Sequence, residues 1–288
     1  MPNKPPSLNT ANSDVVDLNC KALGPQITQK TLASYVNAQS EGCLDIPTYI
    51  YDVDAIRSRF AMLRSLFGST FKLSYAIKAN PNQALLGVIA EETDYFDASS
   101  FAETIRAKEA GLEPHLTSYS GPGKRQRELD AFIGTDAELV IESSEEIVDA
   151  AAIASRKQVI QKVLVRINPD HVPRGFGASM SGKPSQFGFD ESVVQQAIDE
   201  IDAHASLSLV GLHIYTGSNS LSSETLIENF QNMSRLFIQL SQNGTRPLEK
   251  LIFGAGFGLP YHIGQDPLDL KAVSEPLLKI ATTLHAHS

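Results

Sequence analysis

The chain has 288 residues, of which 42% are hydrophobic and 20% are charged. This balance is typical of a globular protein with a buried core, and it excludes a mostly disordered chain. The net charge of −9 argues against a nucleic-acid partner, because contact with phosphates needs a basic face. Small anionic ligands are still compatible with an acidic protein, since one local site can be positive. One large α/β barrel or two ordinary domains would fit this length.

Two further classes are disfavoured by residue usage. Cys20 and Cys43 are the two cysteines, too few for a disulfide framework or a zinc site, and we expect no metal. No apolar run approaches the roughly 18–20 residues that span a bilayer, so no membrane partner is expected. The polar, Pro- and Asn-rich N-terminus lacks the apolar segment of a secretory signal. These features predict a cytoplasmic protein.

In chain order, residues 1–25 are predicted to be a flexible tail, and residues 26–70 a lead-in strand and helix. The lead-in has an extended run at 46–52 and a helix at 53–67, where Ile56, Phe60, Leu63 and Phe67 recur at helical spacing. Residues 71–288 then repeat a strand-and-helix unit seven times. The predicted strands are 71–80, 94–100, 114–121, 137–144, 162–170, 209–218 and 250–258. The predicted helices are 83–92, 100–111, 124–133, 145–156, 190–204, 223–242 and 268–286.

Apolar strands that alternate with helices predict a parallel sheet covered by helices. Seven repeats without a dinucleotide fingerprint after the first strand favour an α/β fold of the (β/α)₈ TIM-type barrel over a doubly wound sheet. A closed barrel needs eight strands, and the sequence supplies seven.

Polar residues follow the predicted strands, at the barrel end where active sites lie. Lys78, within the apolar segment Tyr75–Asn80, has two interpretations. It is a snorkelling lysine at a strand end, or a desolvated amine with a lowered pKa that forms a Schiff base with a carbonyl. The strand-end residues are Lys78 and Asn80, Asp97, Ser118 and Ser120, Glu142 and Ser143, Arg166 and Asn168, Tyr215 and Ser218, and Gly254–Gly258.

The segment GAGFG, Gly254–Gly258, has the composition of a turn whose backbone N–H groups can approach a phosphate. Glycine turns are common, so an ordinary turn explains the segment equally well. Its position after the seventh strand matches the phosphate site of such barrels. Together with Lys78 after the first strand, it suggests pyridoxal 5′-phosphate as a cofactor.

Six segments resemble the fold-type III pyridoxal-phosphate decarboxylases, which include diaminopimelate, ornithine and arginine decarboxylases on an alanine-racemase-like barrel. They are YAIKANPN, FDASSFAE, VLVRINP, SQFG, GLHIYTGS and GAGFG, and the resemblance runs from about residue 45 to 285. It implies that Lys78 carries the cofactor and is the catalytic residue. The cofactor-binding residues that it implies are Lys78, Asp97, Arg166, Tyr215, Ser218, Gly254, Gly256, Phe257 and Gly258.

One further candidate and one pair keep more than one interpretation. Glu103 matches a polar position around the lysine, but it also has capping-box spacing from Ser100. Asn80 is a further candidate at a strand end. Asp97 and Arg166 match cofactor-site positions, although a purely structural ion pair at the barrel mouth is the alternative.

Two positions depart from the family pattern. The family usually has a histidine stacked on the cofactor ring where this chain has Tyr215. An aromatic ring can still stack there, but it changes the protonation chemistry. His213, a further candidate, is interpreted as a satisfied histidine of the barrel core. The family lysine in the SQFG segment is Gln186 here, and the loop 175–188 is similar to the branch that acts on siderophore or antibiotic intermediates.

The resemblance implies decarboxylation of an amino acid or amino-acid-like carboxylate, of the diaminopimelate/ornithine or siderophore type, by a protein whose full-length form is a homodimer. The family also has an eighth strand and a C-terminal β-domain, whose motifs the 288 residues lack. We therefore expect an incomplete barrel with little or no activity and poor solubility alone. A non-catalytic pyridoxal-phosphate-binding barrel and an amino-acid racemase on the same fold are the alternatives.

Overall fold

The computed structural model describes residues 29–42, 49–68, 70–179, 182, 185–244, 248–262 and 264–285. The predicted tail, both cysteines and residues 46–48 of the run at 46–52 lie outside this part. The described end of that run, residues 49–52, forms no strand. A helix at Gln29–Ser40 was not predicted.

The described elements alternate as the sequence predicts. The strands are β1 Ser74–Ala76, β2 Tyr95–Ala98, β3 Thr117–Tyr119, β4 Glu138–Ile141, β5 Gln161–Asn168, β6 Ala178–Ser179, β7 Phe189–Asp190, β8 Leu207–Ile214, β9 Gly217–Ser218 and β10 Lys250–Phe253. The helices are α1 Gln29–Ser40, α2 Val53–Phe67, α3 Gln83–Glu92, α4 Phe101–Glu109, α5 Gln126–Phe132, α6 Ser144–Lys157, α7 Val194–Asp202, α8 Ser223–Asn243 and α9 Leu270–His285. None of these helices combines the length and apolarity needed to cross a bilayer.

Seven strands form one parallel sheet in the order β1-β2-β3-β4-β5-β8-β10, and β7 adds a short pairing to β5. This order follows the chain, as in a barrel rather than a doubly wound sheet. The predicted fold class and the seven βα units are confirmed. Strands β6 and β9 form a separate antiparallel pair above the sheet path.

Most predicted strands are too long. The run 71–80 contains the three-residue β1 and then a single 3₁₀ turn at Ile77–Ala79. The runs 209–218 and 250–258 leave the main sheet at Ile214 and Phe253. An apolar run shows where a segment is buried, whereas the end of pairing depends on where the backbone turns toward the next helix.

Alternate strand residues face opposite sides of the sheet, as the pleat requires. Leu139, Ile141, Val163 and Val165 pack in the large core beneath the helices, whose cluster also includes side chains from α5 to α9. A smaller core lies beneath α3 and α4 and contains Ile77, Leu86 and Phe96. Residues of the other parity, including Glu138 on β4 and Arg166 on β5, face the concave interior.

A lysine side chain crosses the concave interior near the N-terminal ends of the strands. Lys250 Nζ on β10 lies 2.7 and 2.8 Å from the two carboxylate oxygens of Glu138 on β4. The same ammonium lies 4.3 Å from the centroid of the Tyr95 ring on β2. Because β2, β4 and β10 are not neighbours in the sheet, these contacts require a curled sheet.

Within the described residues, β1 and β10 are the two edges of the sheet path. A mainly apolar cleft of about 1070 Å³ lies between them, lined in part by Phe60, Phe71, Leu251 and Phe253. The predicted open, seven-stranded arrangement is therefore present in the structure.

Polar caps begin the helices that follow the strands. Ser100, Ser143 and Ser222 accept hydrogen bonds from backbone N–H groups three residues later, at 3.3, 3.3 and 3.1 Å. These bonds satisfy donors that a helix N-terminus otherwise leaves unpaired. Each strand-to-helix turn is thus fixed at the end of the sheet where the polar side chains collect.

Candidate functional site

The curl of the sheet brings Lys78 to the residue that follows β8. Lys78 lies in the 3₁₀ turn after β1, and its Nζ is 5.1 Å from the centroid of the Tyr215 ring. Lys78 is exposed, so the expectation of a desolvated amine is wrong for this structure. The side chain lies in the turn after the strand rather than in the packed interior. An accessible primary amine beside an aromatic face remains.

Asp97 on β2 is a partly buried carboxylate near Lys78. Its oxygens accept hydrogen bonds from the Ser118 hydroxyl at 2.9 Å and the Ser120 hydroxyl at 3.4 Å. Ser118 is its register partner on β3, so both side chains face the interior. Burial raises the pKa of Asp97, although the Ser118 hydrogen bond and the positive charges of Lys78 and Arg166 oppose the rise.

Arg166 on β5 pairs with Glu142 at the end of β4. Its Nη1 donates to both Glu142 oxygens at 3.1 Å, and the Phe187 ring centroid lies 4.6 Å from the guanidinium carbon. Glu142 also accepts a short hydrogen bond from the Gly121 N–H. The alternative of a direct structural ion pair between Asp97 and Arg166 is wrong, because the described partner of Arg166 is Glu142.

Glu103 and Asn80 make local contacts. Glu103 accepts from the Ser99 N–H at 2.7 Å while its own N–H donates to the Ser100 hydroxyl. This geometry supports the capping interpretation of Glu103. Asn80 Oδ1 accepts from the Asn82 N–H at 3.1 Å, which fixes the turn after Lys78.

His213 on β8 is the register partner of Arg166 and faces the same interior. It is buried, as a core histidine should be, but its Nδ1 has no hydrogen-bond partner among the described residues. The expectation of a satisfied histidine is therefore wrong. Burial, together with the nearby charges of Arg166, Lys78 and Lys124, lowers the pKa of His213 to about 3. The ring is neutral at physiological pH.

The GAGFG segment packs against the loop after β8. The Gly258 N–H donates to the Ser220 carbonyl, and the Ser220 N–H donates to the Gly256 carbonyl, both at 2.9 Å. A Cβ at Gly254 would lie 2.1 Å from the Tyr215 ring, and one at Gly258 would lie 2.6 Å from the Ser220 carbonyl oxygen. The two loops can approach this closely only with glycine at these positions. The glycines therefore have a packing role that is separate from any role in binding phosphate.

The same segment leaves backbone donors available. Gly256 has a φ of 66°, and a Cβ there would lie 2.7 Å from the Gly217 carbonyl oxygen. The N–H groups of Ala255 and Gly256 donate to no acceptor among the described residues. The Phe257 side chain points away, stacked on Phe67 at 5.9 Å. Of Phe257, therefore, only the backbone and not the side chain can contact a ligand.

Sequence interpretation missed two charged residues of this region. Lys124, in the loop before α5, and Glu146, in the first turn of α6, are ion-paired next to Glu142. Glu146 could have been found from sequence, because it follows Ser143 at the same Ser-x-x-Glu spacing at which Glu103 follows Ser100. Lys124 follows Gly-Pro-Gly, which has the appearance of an ordinary exposed turn.

These donors fit a phosphorylated pyridine aldehyde. Lys78 supplies an accessible amine, Tyr215 an aromatic face, and the glycine loop two unpaired N–H donors at a position where larger residues are excluded. A cation and two carboxylates, Arg166, Asp97 and Glu142, surround the amine side of the site.

Comparisons with known proteins agree with this fit. Residues 53–287 match the family described as pyridoxal-dependent decarboxylase, pyridoxal binding domain. The chain is 29% identical over 234 residues to the L-glutamyl-(BtrI acyl-carrier protein) decarboxylase of Niallia circulans, covering 80% of this chain and 54% of that protein. It is 30% identical over 219 residues to the diaminopimelate decarboxylase of Aquifex aeolicus, covering 75% and 51% respectively.

A solved structure shows the same fold. Diaminopimelate decarboxylase from Helicobacter pylori, complexed with L-lysine, superposes with a TM-score of 0.76 at 25% identity, covering 85% of this chain and 63% of that one. The chain spans about half the length of the two curated relatives. Both the matched family and the donors of the site identify pyridoxal 5′-phosphate as the cofactor. The chain belongs to the pyridoxal-dependent decarboxylase family and contains its pyridoxal binding domain.

Proposed function

We propose that this barrel serves the decarboxylation of an amino acid or amino-acid-like carboxylate, with Lys78 as the residue that carries the cofactor. One observation supports this most: the exposed Lys78 amine lies 5.1 Å from the Tyr215 ring at the carboxyl ends of the strands. Active sites of parallel barrels lie at this end.

Bound pyridoxal phosphate supplies an electron sink for the pair of electrons released when the carboxylate leaves. Lys78 would hold the cofactor through its amine, and as the accessible amine beside the ring it would also hold and deliver the proton at the reacting carbon. Tyr215 supports one face of the ring by stacking.

The phosphate is held mainly by backbone groups. Ser218, Gly254, Gly256 and Gly258, with the main chain of Phe257, form the two packed loops opposite Lys78. Donors fixed by loop packing need no reorganisation when an anion binds. Asp97 and Arg166 would lie on the amine side of the ring, and burial keeps the nearby His213 ring neutral.

The substrate is proposed for the whole protein, because the chain spans about half of its curated relatives. The named relatives are decarboxylases of an L-glutamyl acyl-carrier protein and of diaminopimelate, which supports the diaminopimelate/ornithine type of substrate. The siderophore type rests on the resemblance of the loop 175–188 alone. A homodimeric full-length form and a cytoplasmic location accompany this proposal.

Cofactor attachment is tested by borohydride reduction with pyridoxal phosphate, followed by peptide mass spectrometry. We expect the label on Lys78 and its loss in Lys78→Ala. Lys72→Ala is the matched control, because Lys72 is a 65% exposed lysine just before the same strand. Retention of the label in Lys78→Ala would remove Lys78 from its assigned role.

Reaction type is tested separately with single enantiomers of diamino acids. Release of CO₂ supports decarboxylation, loss of optical purity without CO₂ indicates a racemase, and neither, with the cofactor attached, indicates a non-catalytic binding barrel. The assay is most informative on a protein that also contains the remaining length of the relatives.

A further inference from the structure

Lys124 is a buried lysine to which the proposed function gives no role. It lies in the loop between β3 and α5, and its side chain is only 1% exposed. Its Nζ donates to the Gly121 carbonyl at 2.7 Å and to the two Glu146 carboxylate oxygens at 3.1 and 3.0 Å. A Glu142 oxygen lies 4.0 Å away. Burial of an ammonium ion is costly unless it is paired in this way.

Two carboxylates connect Lys124 to Arg166. Glu146 Oε2, which accepts from Lys124, also accepts from the Glu142 backbone N–H at 2.9 Å. The Glu142 carboxylate in turn accepts twice from Arg166 Nη1 at 3.1 Å. Hydrogen bonds and one close charge contact therefore form a continuous path from Lys124 to the guanidinium.

The loop that carries Lys124 is clamped to the same carboxylate. Gly121 has a φ of 102°, and a Cβ there would lie 2.9 Å from the Ser99 carbonyl oxygen, so this turn requires glycine. The turn directs the Gly121 N–H at Glu142 and its carbonyl at the Lys124 ammonium. Glu142 is thus held by the loop backbone and faces the loop lysine at the same time.

Lys124 belongs to a cluster of acidic and basic side chains around the barrel mouth. Three cations and three carboxylates form the cluster: Lys78, Lys124, Arg166, Asp97, Glu142 and Glu146. Removal of Lys124 would leave the neighbouring Glu142 and Glu146 with one close cation. Burial already raises the pKa of Glu146, and the charge of Glu142 adds to that rise. Stability alone does not call for such a network, since well-packed apolar residues often replace buried ion pairs at no cost.

We propose that Lys124 is a positioning residue for the cofactor site. It holds Glu146 and Glu142 in place, and Glu142 then holds the Arg166 guanidinium at the barrel mouth on the amine side of the cofactor. This inference rests on the proposed function, because Arg166 matters to the cofactor only if the site binds it.

The test is a double-mutant cycle on pyridoxal phosphate affinity, with Lys124→Met, Arg166→Met and the double variant of the full chain. Affinity is measured by fluorescence titration at a temperature at which thermal melts show every variant folded. We expect roughly 10-fold weaker binding in Lys124→Met, in the range found when an outer partner of a binding residue is removed. The double variant should bind no more weakly than Arg166→Met, because Lys124 acts through Arg166.

Lys157→Met is the matched control. Lys157 also bonds a loop carbonyl, that of Ile133 at 3.0 Å, and lies near a carboxylate, that of Asp130 at 3.9 Å, but on the outside of α6. It should leave the affinity within 2-fold of wild type even where it lowers the melting temperature. Wild-type affinity in Lys124→Met, or losses that multiply in the double variant, would overturn the positioning role. A wild-type chain with no affinity for pyridoxal phosphate overturns this role and the proposed function together, whereas the first two results leave the proposed function intact.

Discussion

The two sides of the barrel mouth are formed differently, one by side chains and the other by backbone. From β2 to β5 the mouth is lined by buried and partly buried acidic and basic side chains, with Arg166 held by Glu142 and Asp97 held by two serines. From β8 to β10 it is formed by backbone, where the loops at Ser220 and Gly256 hydrogen-bond to each other. The charged side should therefore be destabilised by truncation of a side chain, and the backbone-built side by addition of a methyl group to a glycine. The following predictions test that difference, beginning with the largest expected effect.

Glu142→Ala should lower the free energy of unfolding by about 3–5 kcal/mol, because it leaves the Arg166 guanidinium buried without its carboxylate. Urea unfolding followed by circular dichroism measures the change. Glu145→Ala, an exposed glutamate three residues along the chain, should stay within about 0.5 kcal/mol of wild type. Equal losses in both variants would show that the charged side of the mouth is not held by this pair.

Gly254→Ala should lower the free energy of unfolding by about 1–3 kcal/mol, because the added methyl group overlaps Tyr215 and must displace it. Gly87→Ala is the control of opposite sign. Gly87 lies within α3, and a methyl group added there would have no neighbouring atom within 4 Å, so alanine should stabilise the helix by about 0.5–1 kcal/mol. A harmless Gly254→Ala would contradict the close approach of the two loops.

His213 should make stability depend on pH. Its pKa falls to about 3 in the folded protein from 6.5, so between these values the unfolded chain binds more protons. The free energy of unfolding should therefore fall as the pH falls from 6.5 toward 3, by at most about 1.4 kcal/mol per pH unit from this group. Thermal melts of wild type and His213→Phe should diverge over this range and run parallel above it. Parallel curves throughout would mean that His213 is not buried as a neutral ring.

Ser222→Ala should have the smallest effect, about 1 kcal/mol, because it removes the hydroxyl that caps the N-terminus of α8 next to the backbone-built side. Ser65→Ala, a serine on the exposed face of α2, should change stability by less than about 0.5 kcal/mol. Chemical denaturation of the three proteins under one set of conditions separates the effects. A cap that costs nothing would indicate that loop packing alone fixes the start of α8.

The order of the fold was predictable because each unit has its own local signals. Apolar runs mark the strands, and capping residues such as Ser100 and Ser143 mark the helix starts that follow. The strand ends were not predictable, since Ile77 is as apolar in its 3₁₀ turn as it would be in a strand. The helix at Gln29–Ser40 was also missed.

The backbone-built half of the site was easier to recognise than the charged half. Glycines at fixed spacing, as in Gly254–Gly258, are a visible sign of close backbone approach. A buried lysine such as Lys124 has no such sign, because its burial depends on Glu142 and Glu146, which come from other strand-to-helix turns. The sequence left the exposure of Lys78 open for a related reason: neighbouring apolar residues indicate burial of the segment, not of each side chain.

The lysine that spans the concave face low in the sheet has a consequence for how such a barrel keeps its shape. Lys250 joins β10 to Glu138 of β4, with two strands of the sheet between them. Its ion pair crosses the concave interior. The curvature of the sheet between β4 and β10 is therefore held by a contact inside the barrel and not by closure of the strands into a ring. The spacing between the ends of β4 and β5 and the loops after β8 and β10 therefore has a support that is independent of what lies between the two edge strands.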